Sequence, residues 1–140
     1  MLKDILSISG HSGLFKLVSQ GKSNIIVESL IDGKRMPAYA TSRISALQDI
    51  SIFTIDGDVK LADVFVTLFE NQIAVDPKAS SKELKATFIK ALPDFDQERV
   101  YVSDFKKIFA WYLLLVDKGF INEEIIKTHK ESSDTEESKS

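Results

Sequence analysis

Apolar residues dominate the segment 103–119 and fall almost all round a 3.6-residue helical wheel. They are Phe105, Ile108, Phe109, Trp111, Tyr112, Leu113, Leu114, Leu115 and Val116. Because a helix that is apolar on every side must be enclosed, we expect a buried central helix, and a cost of several kcal/mol for Trp111→Ala. Ser103 or Asp104 is expected to cap its first turn and Gly119 to end it. The segment is shorter than the about 20 apolar residues that cross a bilayer.

The first part of the chain instead shows short β-branched and alternating runs, which predict strands at 2–8, 14–18, 25–30, 35–40 and 50–55. Asp32-Gly33 predicts a hairpin turn, and Pro37 places the returning strand at an edge or a bulge. A helical turn is expected within 41–47. Short strands with short loops favour a small, strongly bent SH3-like barrel over an OB-fold.

After Gly57 the apolar spacing becomes helical. We expect a helix over 60–71 capped by Asp58, and a second helix to residue 92 that opens on a Ser80/Glu83 capping box. An irregular segment, 94–101, precedes the central helix, and a short last turn falls at 121–128. The fold class is therefore α+β: a small SH3-like antiparallel β-barrel domain over 1–57 and a compact helical bundle over 58–128, packed together. The polar, acidic tail 129–140 is expected to be disordered.

Composition narrows the function classes. The 140 residues are 44% hydrophobic and 28% charged, contain no cysteine, and carry a net charge of -3. The tail contains two lysines and four acidic residues, so the net charge of the rest of the chain is close to zero. A near-neutral body argues against a broad phosphate-binding surface. The absence of cysteine excludes disulfides and thiolate metal sites. The N-terminus lacks the basic segment and apolar run of a secretory signal, so a cytoplasmic protein is expected.

Local motifs add little chemistry. Residues 10–13 match the GxxG of KH domains, but strands flank them, so a β-turn is expected. His11 and His129 are expected to be solvated, with no metal site. Asp94, Asp96 and Glu98 could hold Ca²⁺, but ion pairing with Arg99 or Lys106 and helix capping are favoured because the EF-hand pattern is absent. No catalytic motif occurs.

The candidate binding surface combines cations with aromatic residues in a groove expected between the barrel and the helices. Its members are Arg35, Tyr39, Arg99, Tyr101, Lys106 and Lys107. Lys107 and Trp111 are four residues apart, so they share a helix face and could form a cation–π contact, but on a helix that is apolar all round a core position of Trp111 is favoured. Tyr101 and Tyr112 are expected to place their hydroxyls at the boundary with water.

Several runs resemble an uncharacterised family of small Bacteroidetes proteins, whose domains are of unknown function. They are GLFKLVS at 13–19, VESL at 27–30, ISALQDISI at 44–52, and RVYVSDFKK at 99–107 with Trp111-Tyr112. The resemblance covers roughly 1–120. It implies an SH3-like β-barrel followed by a compact helical domain, and it carries no activity and no catalytic residues.

These patterns favour a non-enzymatic cytoplasmic binding or scaffold module with a protein partner. A nucleic-acid-binding barrel is one alternative and a small-molecule enzyme is another. No cofactor, metal or membrane association is expected. A homodimer through the strand edge near Pro37 stays open.

Overall fold

The structure, a computed structural model, describes residues 2–11, 13–39 and 43–139, with side chains through Glu131. Across those residues the protein is α+β, with a five-stranded antiparallel sheet, a two-stranded sheet and four α-helices. The predicted fold class is confirmed at this level.

The larger sheet has the strand order β4-β3-β2-β1-β5. Its strands are β1 Ile5–Ile8, β2 Phe15–Gln20, β3 Asn24–Ser29, β4 Arg35–Tyr39 and β5 Ile44–Ala46. The first four lie where alternation predicts them, and Pro37 lies on the edge strand β4 as expected. The helical turn predicted within 41–47 is wrong for the described part, since β5 lies there and a 3₁₀ turn follows at Leu47–Asp49. Residues 41 and 42 lie outside the described residues.

Side chains from all five strands of this sheet meet in one apolar cluster: Leu6, Ile8, Phe15, Val27 and Ala38, with Met36 and Ile44 packed against it.

The smaller sheet is a hairpin of β6, Ser51–Thr54, and β7, Gly57–Lys60. The predicted strand at 50–55 therefore exists, but its assignment to the barrel is wrong. Ile52 of β6 packs in the same apolar core as the helices, which holds the hairpin against them. Asp58, the predicted helix cap, lies in β7, and the backbone of Lys60 occupies the N-cap position.

The helices are α1 Leu61–Glu70, α2 Ser81–Ala91, α3 Val102–Asp117 and α4 Glu123–Lys139. Ser80 Oγ accepts a hydrogen bond from the Glu83 N–H at 3.2 Å, which confirms the predicted cap. Gly119 adopts a φ of +81°, and the next N–H donates to the Leu115 carbonyl at 2.8 Å, a Schellman ending that confirms the predicted stop.

Helix α3 is not enclosed on every side, and that expectation is wrong. Its buried side chains are Phe105, Ile108, Phe109, Tyr112 and Leu115. Leu113 and Val116 are 37% and 36% exposed, and Trp111 is half-buried. The covering elements therefore leave part of α3 exposed, and we call the side that carries Lys107, Ala110 and Trp111 its open face.

One continuous core joins the sheet to the helices. Leu2, Ile5, Leu14 and Leu30 from the sheet half belong to the same cluster as the buried residues of α1, α2 and α3. Among the helices, Phe88 stacks on Phe105 at 4.6 Å between ring centroids. The two halves therefore pack together as expected, while the division into domains at Gly57 stays a prediction.

Helix α4 is longer than the short turn predicted at 121–128. It runs on to Lys139, so helix occupies the stretch where composition predicts a disordered tail. Its residues His129 and Lys130 contact Asp63 and Glu70 of α1, which holds this part of the helix to the body. The side chains of 132–140 lie outside the described residues.

Candidate functional site

Cations and aromatic rings gather along the open face of α3. Lys107 and Trp111 line two adjoining hollows there. The first, of about 370 Å³, is bounded by the β6 residues and by Arg99, Tyr101 and Asp104. The second, of about 510 Å³, is bounded by the β1–β2 turn, Pro77 and Lys106. We call the set Phe53, Arg99, Tyr101, Lys106, Lys107 and Trp111 the α3 surface.

The first hollow is shaped by contacts of the 94–101 segment. The Arg99 guanidinium lies 4.6 Å above the centre of the Phe53 ring, and its Nε lies 3.8 Å from Asp96 Oδ2. Asp104 Oδ2 accepts a hydrogen bond from the Tyr101 N–H at 2.9 Å, which fixes the start of α3. Two different elements therefore hold the guanidinium in place.

These contacts also decide the role of the acidic loop. Asp96 Oδ1 accepts from the Glu98 N–H at 2.9 Å while its other oxygen faces Arg99. The ion-pair expectation is confirmed for Asp96. Tyr101, and not Ser103 or Asp104, occupies the N-cap position of α3, and Asp104 contributes to the cap from the third position of the helix. Across the described side chains, no group of three His, Cys, Asp or Glu residues could hold a metal ion.

The α3 surface is exposed as well as cationic. Tyr101 is 61% exposed and Phe53 is 39% exposed. Lys106 and Lys107 are exposed and, among the described residues, neither has an ion-pair partner. Exposed aromatic rings beside an arginine are typical of protein contact sites.

Arg35 and Tyr39 lie away from this surface. Arg35 is on the edge strand β4, where its Nε lies 3.4 Å from Oε1 of its cross-strand neighbour Glu28. Tyr39 is exposed and lines a separate hollow with the β2–β3 turn and Ile44. Of the six predicted site residues, the structure thus brings together Arg99, Tyr101, Lys106 and Lys107.

Sequence reasoning missed Phe53. Ile52 and Phe53 are consecutive in β6, and since alternate residues of a strand face opposite sides, one of the two had to face outward. The alternation of β6 predicts an exposed Phe53 only when it is known that a single face of this strand is covered.

The GxxG segment is a turn between β1 and β2, as expected, with residue 12 outside the described residues. Gly10 and Gly13 adopt φ values of +86° and +79°, and the His11 N–H donates to the Ile8 carbonyl at 3.1 Å. His11 is exposed, as predicted. His129 is not, because its side chain is only 19% exposed and its Nε2 lies 3.2 Å from Asp63 Oδ1.

A further cavity, of about 640 Å³, lies between α1, α3 and α4. We call it the α4 cavity. Its apolar wall is Phe69, Val116 and Ile126, and its polar wall includes Gln72, Tyr112 and Lys127. Tyr112 is 6% exposed, and burial raises the pKa of its hydroxyl above the usual 10.0. The sequence reasoning expected a hydroxyl at the boundary with water but did not anticipate a cavity.

Within the described residues, no helix is both long enough and apolar enough to span a bilayer.

Comparisons with known proteins give two consecutive family matches. Residues 2–47 match Domain of unknown function (DUF5606), and residues 50–115 match Domain of unknown function (DUF6852). A solution NMR structure from Bacteroides vulgatus, a target of the Northeast Structural Genomics Consortium, is 43% identical with a TM-score of 0.68. The match covers 87% of this chain and 90% of that chain. No curated protein matches the chain.

Proposed function

We propose that this chain, which belongs to the same family as the Bacteroides vulgatus protein and matches two domains of unknown function, is a non-enzymatic, cytoplasmic binding module. Its α3 surface takes an acidic segment of a partner protein that carries aromatic residues. The observation that carries this proposal is the gathering of Arg99, Lys106 and Lys107 around exposed aromatic rings.

Local charge selects the acidic partner. Asp96 offsets part of the charge of Arg99, and Asp104 accepts from the Tyr101 backbone, so the unpaired positive charge of this surface lies on its two lysines. Lys106 and Lys107 are left with no ion-pair partner in the described part of the chain. Opposite charge on the partner would speed the encounter and exclude basic competitors.

Exposed aromatic rings supply the apolar part of the contact. Tyr101 and Trp111 have large, rigid faces beside the hollows, and Tyr and Trp are among the residues that dominate binding energies at protein interfaces. An aromatic side chain of the partner could enter the first hollow between Trp111 and the Arg99–Phe53 pair.

We also propose a more detailed description of the fold. The larger sheet is bent into an SH3-like barrel, and the helices form a bundle that packs on one side of it. Support comes from β1, which pairs with both β2 and β5, and from the register shift between Leu17 and Ser19 of β2, an irregularity that bends a strand. Barrels of this kind host many unrelated functions, so the surface and not the fold carries the functional proposal.

A protein partner is favoured over nucleic acid because the cationic set is small. Three cations on a chain with a net charge of -3 offer few phosphate contacts. The carboxylates of the site serve turns and ion pairs, which leaves none as an evident general base and supports a non-enzymatic role.

The test is a selection of binding peptides from a random displayed library, performed on the full chain. We expect the selected peptides to combine Asp or Glu with Phe, Tyr or Trp. Lys107→Glu is expected to weaken the best peptide about tenfold, because it places like charges in contact. Lys85→Glu, the same change on an exposed residue of α2, is the matched control and should leave affinity unchanged.

Three outcomes would overturn the proposal. Two of them are a set of peptides without acidic residues and equal losses of affinity in both variants. The other is tight, steeply salt-dependent binding of single-stranded RNA or DNA that Lys107→Glu abolishes, which would establish the nucleic-acid alternative.

A further inference from the structure

The α4 cavity has the dimensions of a small-molecule site. Its volume of about 640 Å³ lies within the about 300–1,000 Å³ that is usual for ligand pockets. Phe69, Val116 and Ile126 give it an apolar wall from three different helices. It lies away from the α3 surface and shares no lining residue with either hollow there.

Tyr112 gives the cavity a polar group without a partner. The side chain is more than nine-tenths buried, with its ring 6.0 Å from that of Phe65. Its hydroxyl makes no hydrogen bond to any described residue. Every fully buried side-chain oxygen among the described residues does have a hydrogen-bond partner, so the Tyr112 hydroxyl must retain some access to solvent. The α4 cavity, which Tyr112 lines, provides that access.

Gln72 is held at the cavity in an unfavourable backbone conformation. It follows α1 with a φ of +54°, in the left-handed region that favours glycine, and its N–H donates to the Phe69 carbonyl at 3.2 Å. Glycine would end α1 equally well at this position. What glutamine adds is an amide side chain in the wall of the cavity.

Two lysines and two glutamates line the cavity, so its wall carries no net charge, and Lys127 is the cation that an anionic head group would meet. Lys130 pairs with Glu70, so these two charges offset each other. Lys127 has no ion-pair partner among the described residues. The Lys127 ammonium, the Tyr112 hydroxyl and the Gln72 amide are hydrogen-bond donors that come from three separate elements.

We propose that the α4 cavity binds a small monocarboxylate with an apolar chain. The chain lies against Phe69, Val116 and Ile126, and the carboxylate accepts hydrogen bonds from Tyr112, Gln72 and Lys127. Glu123, one helical turn before Lys127, also lines the cavity and disfavours a second negative charge on the ligand, which restricts the class to monoanions.

The probe is octanoate, titrated into the isotope-labelled full chain and followed by amide chemical shifts. We expect saturable shifts at Gln72, Tyr112 and Lys127. Octylamine, with the same chain and a cationic head, is expected to bind at least about tenfold more weakly. No saturable binding of octanoate, shifts confined to other surfaces, or equal affinity for the amine would overturn the proposal.

Tyr112→Phe removes the hydroxyl alone. Because that hydroxyl has no protein partner, we expect an unchanged melting temperature and a loss of octanoate affinity of about tenfold, the usual effect of a hydrogen bond to a charged group. Tyr39→Phe, on the exposed edge strand, is the matched control and should change neither quantity. An unchanged affinity in Tyr112→Phe would overturn the assignment of this group.

Gln72→Gly separates binding from folding. Glycine relieves the strain at φ +54°, so the melting temperature should rise while octanoate affinity falls. A variant that is more stable and binds octanoate as well as the parent would show that the amide has no part in binding.

Discussion

The Arg99 guanidinium lies over the Phe53 ring, 4.6 Å from its centre, and this contact ties the segment before α3 to the β6–β7 hairpin. The guanidinium side chain is 59% exposed, so water screens part of the attraction. An exposed cation–π pair contributes about 0.5–1 kcal/mol. The contact therefore positions the α3 surface more than it stabilises the fold.

A double-mutant cycle on Arg99→Ala and Phe53→Leu tests this contact. We expect a coupling free energy of about 0.5–1 kcal/mol from urea unfolding of the two single variants and the double variant. The pair Arg35→Ala and Phe53→Leu, which joins two separate surfaces, is the control and should show no coupling. Additive effects of Arg99→Ala and Phe53→Leu would mean that the ring and the cation are merely adjacent.

The aromatic cluster around Phe88 is expected to dominate stability. Phe88 is fully buried and contacts the rings of Phe95, Phe105 and Phe109. Phe88→Ala should cost about 3–5 kcal/mol because it leaves a cavity among these rings. Trp111→Ala should cost clearly less, since Trp111 is half-buried on the open face of α3. Urea midpoints in the reverse order would place Trp111 at the centre of the core, as its sequence context suggests.

The cap of α2 offers a local prediction. Ser80 Oγ satisfies the Glu83 N–H, so Ser80→Ala should lower the free energy of unfolding by about 1 kcal/mol. Ser81→Ala, the same change at the first residue of the helix, serves as the control because no cap hydrogen bond is lost. Equal effects of the two changes on the thermal midpoint would contradict the capping role.

The parts of the fold that could be predicted depend on neighbours close in sequence. The Ser80 cap, the stop at Gly119 and the turn at Asp32-Gly33 each need only a few adjacent residues. The exposure of Leu113 and Val116 cannot be predicted from the sequence, because it depends on which helices pack against α3. For the same reason the local pattern predicts a strand at 50–55 but does not predict that it pairs with β7 and not with the larger sheet.

The candidate site shows the same difference between residues that are close in sequence and residues that only the fold brings together. Arg99, Tyr101, Lys106 and Lys107 lie within nine residues of each other, so one loop and one helix start bring them together. Grouping Arg35 and Tyr39 with them requires the β3–β4 hairpin to pack on the helices, whereas the larger sheet places Tyr39 at a separate hollow. The α4 cavity involves residues from three helices, and no local pattern in the sequence marks it.

Ionisation of Tyr112 makes the stability of the fold depend on pH in the alkaline range. Burial raises the pKa of its hydroxyl above 10.0 in the folded protein, so the folded state holds this proton more tightly than the unfolded state. Its contribution is complete below pH 10.0 and is lost as pH rises through the folded pKa, because the unfolded chain then binds fewer protons. We therefore expect the urea midpoint of the parent to fall more than that of Tyr112→Phe between pH 9 and pH 11, with no difference near pH 7. Tyr39→Phe should follow the parent curve, and parallel curves for the parent and Tyr112→Phe would show that the hydroxyl is as solvated in the folded chain as in the unfolded one.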